Sequence, residues 1–144
     1  MRLETLPKWA RELLETVRVA RLAYLDDEDR PRVLPVTFAV EGEAVWSAID
    51  EKPKRTPEPA RLAYLRRRPE AALLVDVYDD DWTKLAWVQL LGQVDVTPAD
   101  AAPAAMAALA AKYEPYARRT PPGPLLRLGV ERALHWRAAS ALDR

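Results

Sequence analysis

The sequence predicts one domain of the α+β class, mostly β: six strands in a small antiparallel barrel with short flanking helices. Three observations carry this expectation. Six separate runs are strand-like, and in Leu85–Val96 and the last run apolar and polar residues alternate with a period of two. Most gaps between those runs are short and turn-like, as at Asp26–Arg30, Glu41-Gly42-Glu43 and Asp79-Asp80-Asp81, so neighbouring strands should run antiparallel. Helical spacing is confined to three short segments. A chain of 144 residues suits a single domain over residues 1–144, burying roughly two-thirds of its unfolded surface.

The elements follow in order. Thr5 is placed to cap a first helix, with Pro7 in its first turn and Trp9, Leu13 and Val17 at helical spacing. The period then changes. Val19–Leu25 reads as a strand and Val33–Val40 as a second, with Pro35 implying an edge or a backbone without its ladder bond. Glu41-Gly42-Glu43 turns into a third strand, Ala44–Ile49. Glu58–Arg67 reads as a short helix with Leu62 and Leu65 on one side, punctuated by Pro69. Ala71–Tyr78 is strand-like and leads through the acidic tip to Leu85–Val96. There Ala86, Val88, Leu90, Val94 and Val96 share one face and Gln89, Gln93 and Asp95 the other, while Gly92 on the apolar face marks a bulge or a close backbone approach. Pro98 opens an alanine-rich helix through Lys112, and Tyr113–Pro124 is a proline-rich connection. In the last strand Leu126, Leu128, Val130, Leu134 and Trp136 alternate, with Arg132 intruding on the apolar side.

Composition narrows the chemistry. Lys+Arg and Asp+Glu number 22 each, for a formal net charge of zero, which lacks the overall field of a nucleic-acid binder. Any electrostatic function is therefore local. No run reaches the apolar length of a membrane span, and the first fifteen residues mix Arg, Glu and Lys where a signal peptide needs an apolar core. A cytoplasmic protein without membrane or nucleic-acid partners is the expectation. With no cysteine and one histidine, His135, disulfides, thiolate nucleophiles and the usual zinc sites drop out, and a Ser-His-Asp triad is improbable. An enzyme so equipped would borrow a cofactor for the hard chemistry.

Four features bear on a site. Lys52, Lys54, Arg55 and Arg61 crowd around Pro53, Pro57 and Pro59 near the start of a short helix. That is either a phosphate seat, with the helix terminus adding positive charge, or a solvated turn. Arg66-Arg67-Arg68 complements a helix C-terminal dipole and needs no further role. Tyr78, Trp82 and Trp87 suit stacking on a flat heterocycle or packing at a dimer interface. Asp79-Asp80-Asp81 reads as a solubilising turn, since adjacent carboxylates do not converge on a metal. His135 sits on the polar parity of the last strand, which favours a surface or interface residue.

Two segments, RPRVLPVTFAVEGEAVWSAIDEKPK and LRRRPEAALLVDVYDDDWTKLAWVQLLGQV, resemble the pyridoxamine-phosphate-oxidase-like split-barrel oxidoreductases. The nearest branch is the one that uses the deazaflavin coenzyme F420. The resemblance covers residues 17 to 97 well and LLRLGVERALHW more loosely. It implies a six-stranded antiparallel split β-barrel forming a homodimer, with a flavin-type cofactor in each of two interfacial grooves. On that pattern Pro35, Val36, Thr37 and Phe38 line the ring, largely through backbone. Ser47, Asp50, Lys52, Lys54 and Arg55 match the segment that holds the cofactor phosphate. Trp82, Trp87 and Gln89 match positions near the ring or across the dimer, and Trp136 matches the aromatic that closes the pocket. Gln89 departs from the Arg common in relatives, as do Asp29-Arg30 and Leu65-Arg66-Arg67-Arg68-Pro69 from their usual patterns. The implied activity is hydride transfer between F420 and a small organic substrate, with no metal. FMN is the alternative cofactor, and a heme-binding or non-catalytic split-barrel dimer the further alternatives, His135 being the only histidine available to heme.

Overall fold

A computed structural model describes residues 2–49 and 59–139. It contains a 7-stranded antiparallel sheet in the order β2-β1-β5-β6-β7-β4-β3. The strands are β1 (Ala20–Leu25), β2 (Pro31–Val36), β3 (Ala39–Glu41), β4 (Ala44–Ala48), β5 (Glu70–Val77), β6 (Ala86–Thr97) and β7 (Leu125–Arg137). The helices are α1 (Lys8–Thr16), α2 (Ala60–Arg67), α3 (Pro103–Lys112) and α4 (Glu114–Arg118). The two edge strands, β2 and β3, are consecutive in the chain with Thr37 and Phe38 alone between them. The sheet must therefore curl until its edges meet, closed there by the covalent chain and not by a ladder. That is a split barrel.

The same corner explains the seventh strand. A continuous strand over 33–40 would pair Phe38 like its neighbours. Phe38 is instead fully buried, and its N–H donates to the Tyr113 hydroxyl at 3.0 Å. That hydroxyl lies 2.8 Å from the Arg18 carbonyl and 3.2 Å from that of Phe38, its two acceptors. Thr37 Oγ1 shares a hydrogen bond with Tyr116 Oη at 2.8 Å. Tyr113 thus takes over backbone groups of Phe38 that a ladder would otherwise satisfy, while Tyr116 holds the neighbouring Thr37 side chain.

The alternating apolar residues fill the barrel. Leu22, Leu73, Val75, Val88, Leu90, Leu126 and Leu128 form one cluster with Leu6, Ala10 and Leu14 of the first segment and Leu62 and Leu65 of α2. Each fully buried leucine adds roughly 1.5–3 kcal/mol. A second cluster lies outside the barrel, where Ala105, Leu109 and Tyr113 cover Ala39, Ala48 and Leu125. α3 therefore roofs the β3–β4 side.

Several local expectations are corrected. Thr5 belongs to a 3-10 turn, Leu3–Thr5, and bonds the Arg2 carbonyl; Pro7 stands at the N-cap of α1. Pro98 precedes a 3-10 turn, Ala99–Ala101, and α3 starts at Pro103, its first-turn N–H deficit suiting proline. The stretch read as a connection, 113–124, contains α4. The arginine run does more than face a dipole: Arg67 and Arg68 donate to Asp29 Oδ1 at 3.0 and 2.9 Å, and Arg67 to the Asp26 carbonyl at 3.1 Å. They hold a β1–β2 turn in which Asp29 has φ 59°. Asp26, 1% exposed, accepts the N–H groups of Arg30 and Glu28 at 2.9 Å each. These bonds, the one from Arg30 foremost, hold its carboxyl below the usual range.

The largest correction concerns β7. Pairing with β6 shifts between Leu91 and Gly92: Leu91 faces Arg132 and Gly92 faces Val130, so Glu131 is the unpaired residue of a bulge. Gly92 has no room for a side chain, because a Cβ would lie 1.9 Å from the Gly129 carbonyl oxygen. The bulge inverts parity along β7. Leu126 and Leu128 point into the barrel, but beyond Glu131 the inward residues are Ala133 and His135. Arg132, Leu134 and Trp136 face out.

Candidate functional site

That inversion builds the site. Cross-strand register aligns Asp76, Trp87 and Trp136 in one row, and Leu74, Gln89 and Leu134 in the next. The second row continues through Arg21 on β1 to Pro35 on β2. All of these share the outer face, as alternation from their inward neighbours Val75, Val88 and Leu90 requires. The buried residues of α1 and α2 join the interior cluster and those of α3 the β3–β4 side. No described helix packs on this half of the barrel. It exposes Val33 at 67%, Tyr78 at 74% and Trp136 at 46%.

A cavity of about 380 Å³ opens at the end of this face, lined by Leu74, Asp76, Tyr78, Trp87, Gln89 and Trp136 among others. Three of the expected site residues, Trp87, Gln89 and Trp136, thus come together on neighbouring strands. Their gathering depends on the bulge, since regular pairing would turn Trp136 inward. Trp82 stands apart, on the 3-10 turn Trp82–Lys84, 68% exposed and outside the lining.

The strand expected to line a ring lies elsewhere. Pro35 is three strand spacings from Gln89, about 14 Å along the sheet. β2 is an edge strand, so one side of its backbone is unpaired among the described residues. Val36 and Phe38 point into the core, and both backbone groups of Phe38 contact Tyr113. Ser47 faces inward on β4 at 6% exposure. Its Oγ has no hydrogen-bond partner among the described residues, and neither does the buried Nε of Arg61 on α2. Asp50, Lys52, Lys54 and Arg55 lie outside the described residues.

Some functional-looking residues escape the sequence pattern. Lys112 Nζ donates to the Leu14 carbonyl at 3.0 Å and sits 3.5 Å above the Phe38 ring. Burial, with Arg18 second, brings its ammonium down to about 8. Burial likewise raises the Tyr113 phenol. Asp76 was legible by parity with Leu74 and Tyr78, but only its register opposite Trp87 joins it to the aromatics. His135 was expected on the polar parity; it lies on the inner side, edge-on to Trp9 with ring centroids 5.7 Å apart. Among the described residues no group of three metal-ligating side chains converges. Asp81 binds its own turn through Thr83. No described helix is long and apolar enough to cross a membrane.

Residues 6–137 match the family model described as pyridoxamine 5'-phosphate oxidase. No curated protein matches significantly. Solved structures share the fold. A conserved hypothetical protein from Mycobacterium tuberculosis is 16% identical with a TM-score of 0.72, over 95% of this chain and 89% of its own. An FAD-binding protein from Mesorhizobium loti is 19% identical with a TM-score of 0.64, over 93% and 96%. The heme storage protein HutZ from Vibrio cholerae is 17% identical with a TM-score of 0.71, over the full length of both chains. At these identities the likeness shows the fold alone.

Proposed function

The chain belongs to the pyridoxamine 5'-phosphate oxidase family, and on that premise we propose an oxidoreductase that uses coenzyme F420 to transfer a hydride to or from a small organic substrate. The single observation that supports this best is the division of the site. The β2 edge and the Trp87–Gln89–Trp136 cluster lie three strand spacings, about 14 Å, apart in one chain, farther than one tricyclic ring reaches between them. The uncovered face between them carries two rows, Val33, Ala23, Ala72, Leu91 and Arg132 in one and Pro35, Arg21, Leu74, Gln89 and Leu134 in the other, apolar except for the two arginines and Gln89. A homodimer packed through this face would bring the edge of one protomer to the tryptophans of the other, completing two sites at once.

The residues present fit a phosphorylated tricyclic cofactor. Ser47 Oγ and Arg61 Nε are buried donors without acceptors among the described residues, and a phosphate oxygen is one acceptor that would satisfy either. They flank in sequence the run containing Lys52, Lys54 and Arg55, whose charges would neutralise a phosphate. The bound deazaflavin would supply the hydride-accepting and hydride-donating carbon. The chain's own part is positioning: Trp87 and Trp136 offer aromatic faces, Gln89 an amide, and the barrel wall excludes water. No acid or base at the cavity is needed beyond this.

FMN is the second reading, which the FAD-binding neighbour favours. Heme, which HutZ carries, is less favoured because His135 packs on Trp9 on the opposite side from the cavity. Separate titrations of F420 and FMN, followed by tryptophan fluorescence, decide between them. Saturable F420 binding with weak FMN binding is expected; tight FMN retention without F420 binding would sink the F420 assignment. Sedimentation should give a dimer.

A further inference from the structure

We infer that the cavity at Asp76 receives a cationic nitrogen, carried by the organic substrate of the proposed reaction. The inference rests on that reading for the word substrate, but its binding chemistry is independent of the cofactor.

Asp76 is the only acidic or basic side chain in the cavity lining among the described residues. Among the described residues no ion pair or hydrogen bond reaches it; Arg21, opposite Leu74 on the same outer face, is the nearest cation by register and forms no ion pair with it. The nearest candidate by sequence, Arg137 beside Trp136, turns to the inner side and lies 5.3 Å over the Trp9 ring. An unpaired carboxylate here is set beside Trp87 and, one strand further, Trp136, with Tyr78 on its own chain segment.

This combination has a defined chemical preference. The ring faces carry negative potential and attract a cation, most strongly for tryptophan. The carboxylate adds a full charge of the same sense, and Asp79-Asp80-Asp81, which follow the lining residue Tyr78 in the chain, add to the negative field. Apart from Gln89 and the Tyr78 hydroxyl the walls are apolar, so they accept the methyl or ring carbons around the nitrogen and disfavour a free anion. A neutral molecule of the same shape would gain the apolar contact alone. A carboxylate that served solubility only would have no reason to face two tryptophans across neighbouring strands.

The test compares choline with its neutral isostere 3,3-dimethylbutan-1-ol on the full chain without cofactor, read by tryptophan fluorescence. Choline should bind at least tenfold more tightly. Asp76→Asn should bring the pair within about twofold of each other while circular dichroism and Tm stay unchanged. Asp80→Asn, outside the cavity, should keep most of the preference. Equal binding of the two probes, no choline binding, or a preference that survives Asp76→Asn would overturn the inference. If F420 fails to bind while the cation preference persists, the proposed function falls and this site stands; the reverse result removes this site alone.

Discussion

Replacing Gly92 with Ala would set a new Cβ 1.9 Å from the Gly129 carbonyl oxygen, 2.9 Å from its carbon and 3.3 Å from the Glu131 nitrogen. All three are backbone atoms of β7, so no side chain can swing away. The strand must retreat by more than 1 Å at the bulge, or the pairing must break there. Inserting a methyl into a tight site costs about 1–3 kcal/mol, and losing one or two adjacent ladder bonds adds about 0.5–1.5 kcal/mol each. Reduced freedom of the unfolded chain returns about 0.4–1 kcal/mol. The expected net loss is about 3 kcal/mol, or a fall in Tm of about 10 °C for a domain of this size. Gly129→Ala is the internal control. Its Cβ would approach the tip of the Arg127 side chain at 3.1 Å, which can move, so the loss should stay under about 1 kcal/mol. Urea unfolding of both variants, with the slope checked for constancy, separates them. If Gly92→Ala loses less than about 1 kcal/mol, or no more than Gly129→Ala, the packed bulge is not what fixes β7.

Lys112 predicts a pH effect. Its folded value, about 8, lies below the ordinary 10.5, so between those values the unfolded chain holds more protons and stability should rise with pH. The full shift would correspond to about 3.4 kcal/mol, but the amine is half-exposed and solvent screening reduces this to about 1 kcal/mol. The difference in unfolding free energy between wild type and Lys112→Met, taken at pH 7.5 and 9.5, should show that slope; parallel profiles would refute it. Tyr113→Phe strands the buried N–H of Phe38 and should lose about 1–3 kcal/mol by chemical denaturation; a loss below 0.5 kcal/mol would mean that the Thr37–Phe38 corner is held by packing. Replacing Lys52, Lys54 and Arg55 together with Ala should weaken cofactor binding at least tenfold, since charge-assisted bonds to phosphate contribute about 1.5–3 kcal/mol each, with Tm little changed. Retained affinity would return the loop to a solvated turn.

Period-two alternation located β6 because one of its faces is buried, while β1 and β5 were legible as strand-like runs; both are properties a strand carries in its own residues. Two features are not local and were not legible. The break at Thr37–Phe38 depends on a tyrosine 75 residues onward. The parity of β7 depends on Gly92 meeting Gly129 across strands; Gly92 on an apolar face gave the only hint. The same limit applies to the site. Trp87, Gln89 and Trp136 were named by resemblance, yet their meeting in one cavity follows from the bulge, and Asp76 joins them only through register.

The edge formed by β2 has a consequence for what can lie along it. Prolines 31 and 35 both sit in this strand and pair in register with Leu25 and Arg21. Lacking an N–H, they fit the positions whose backbone groups point away from β1, together with Val33 between them. The outward margin of β2 therefore presents the carbonyls of Pro31, Val33 and Pro35 but the N–H of Val33 alone. A strand of another protein would find too few donors to extend the sheet, which blunts its capacity to seed aggregation. A flat heterocycle would find the opposite, a row of acceptors awaiting its own N–H and O–H groups.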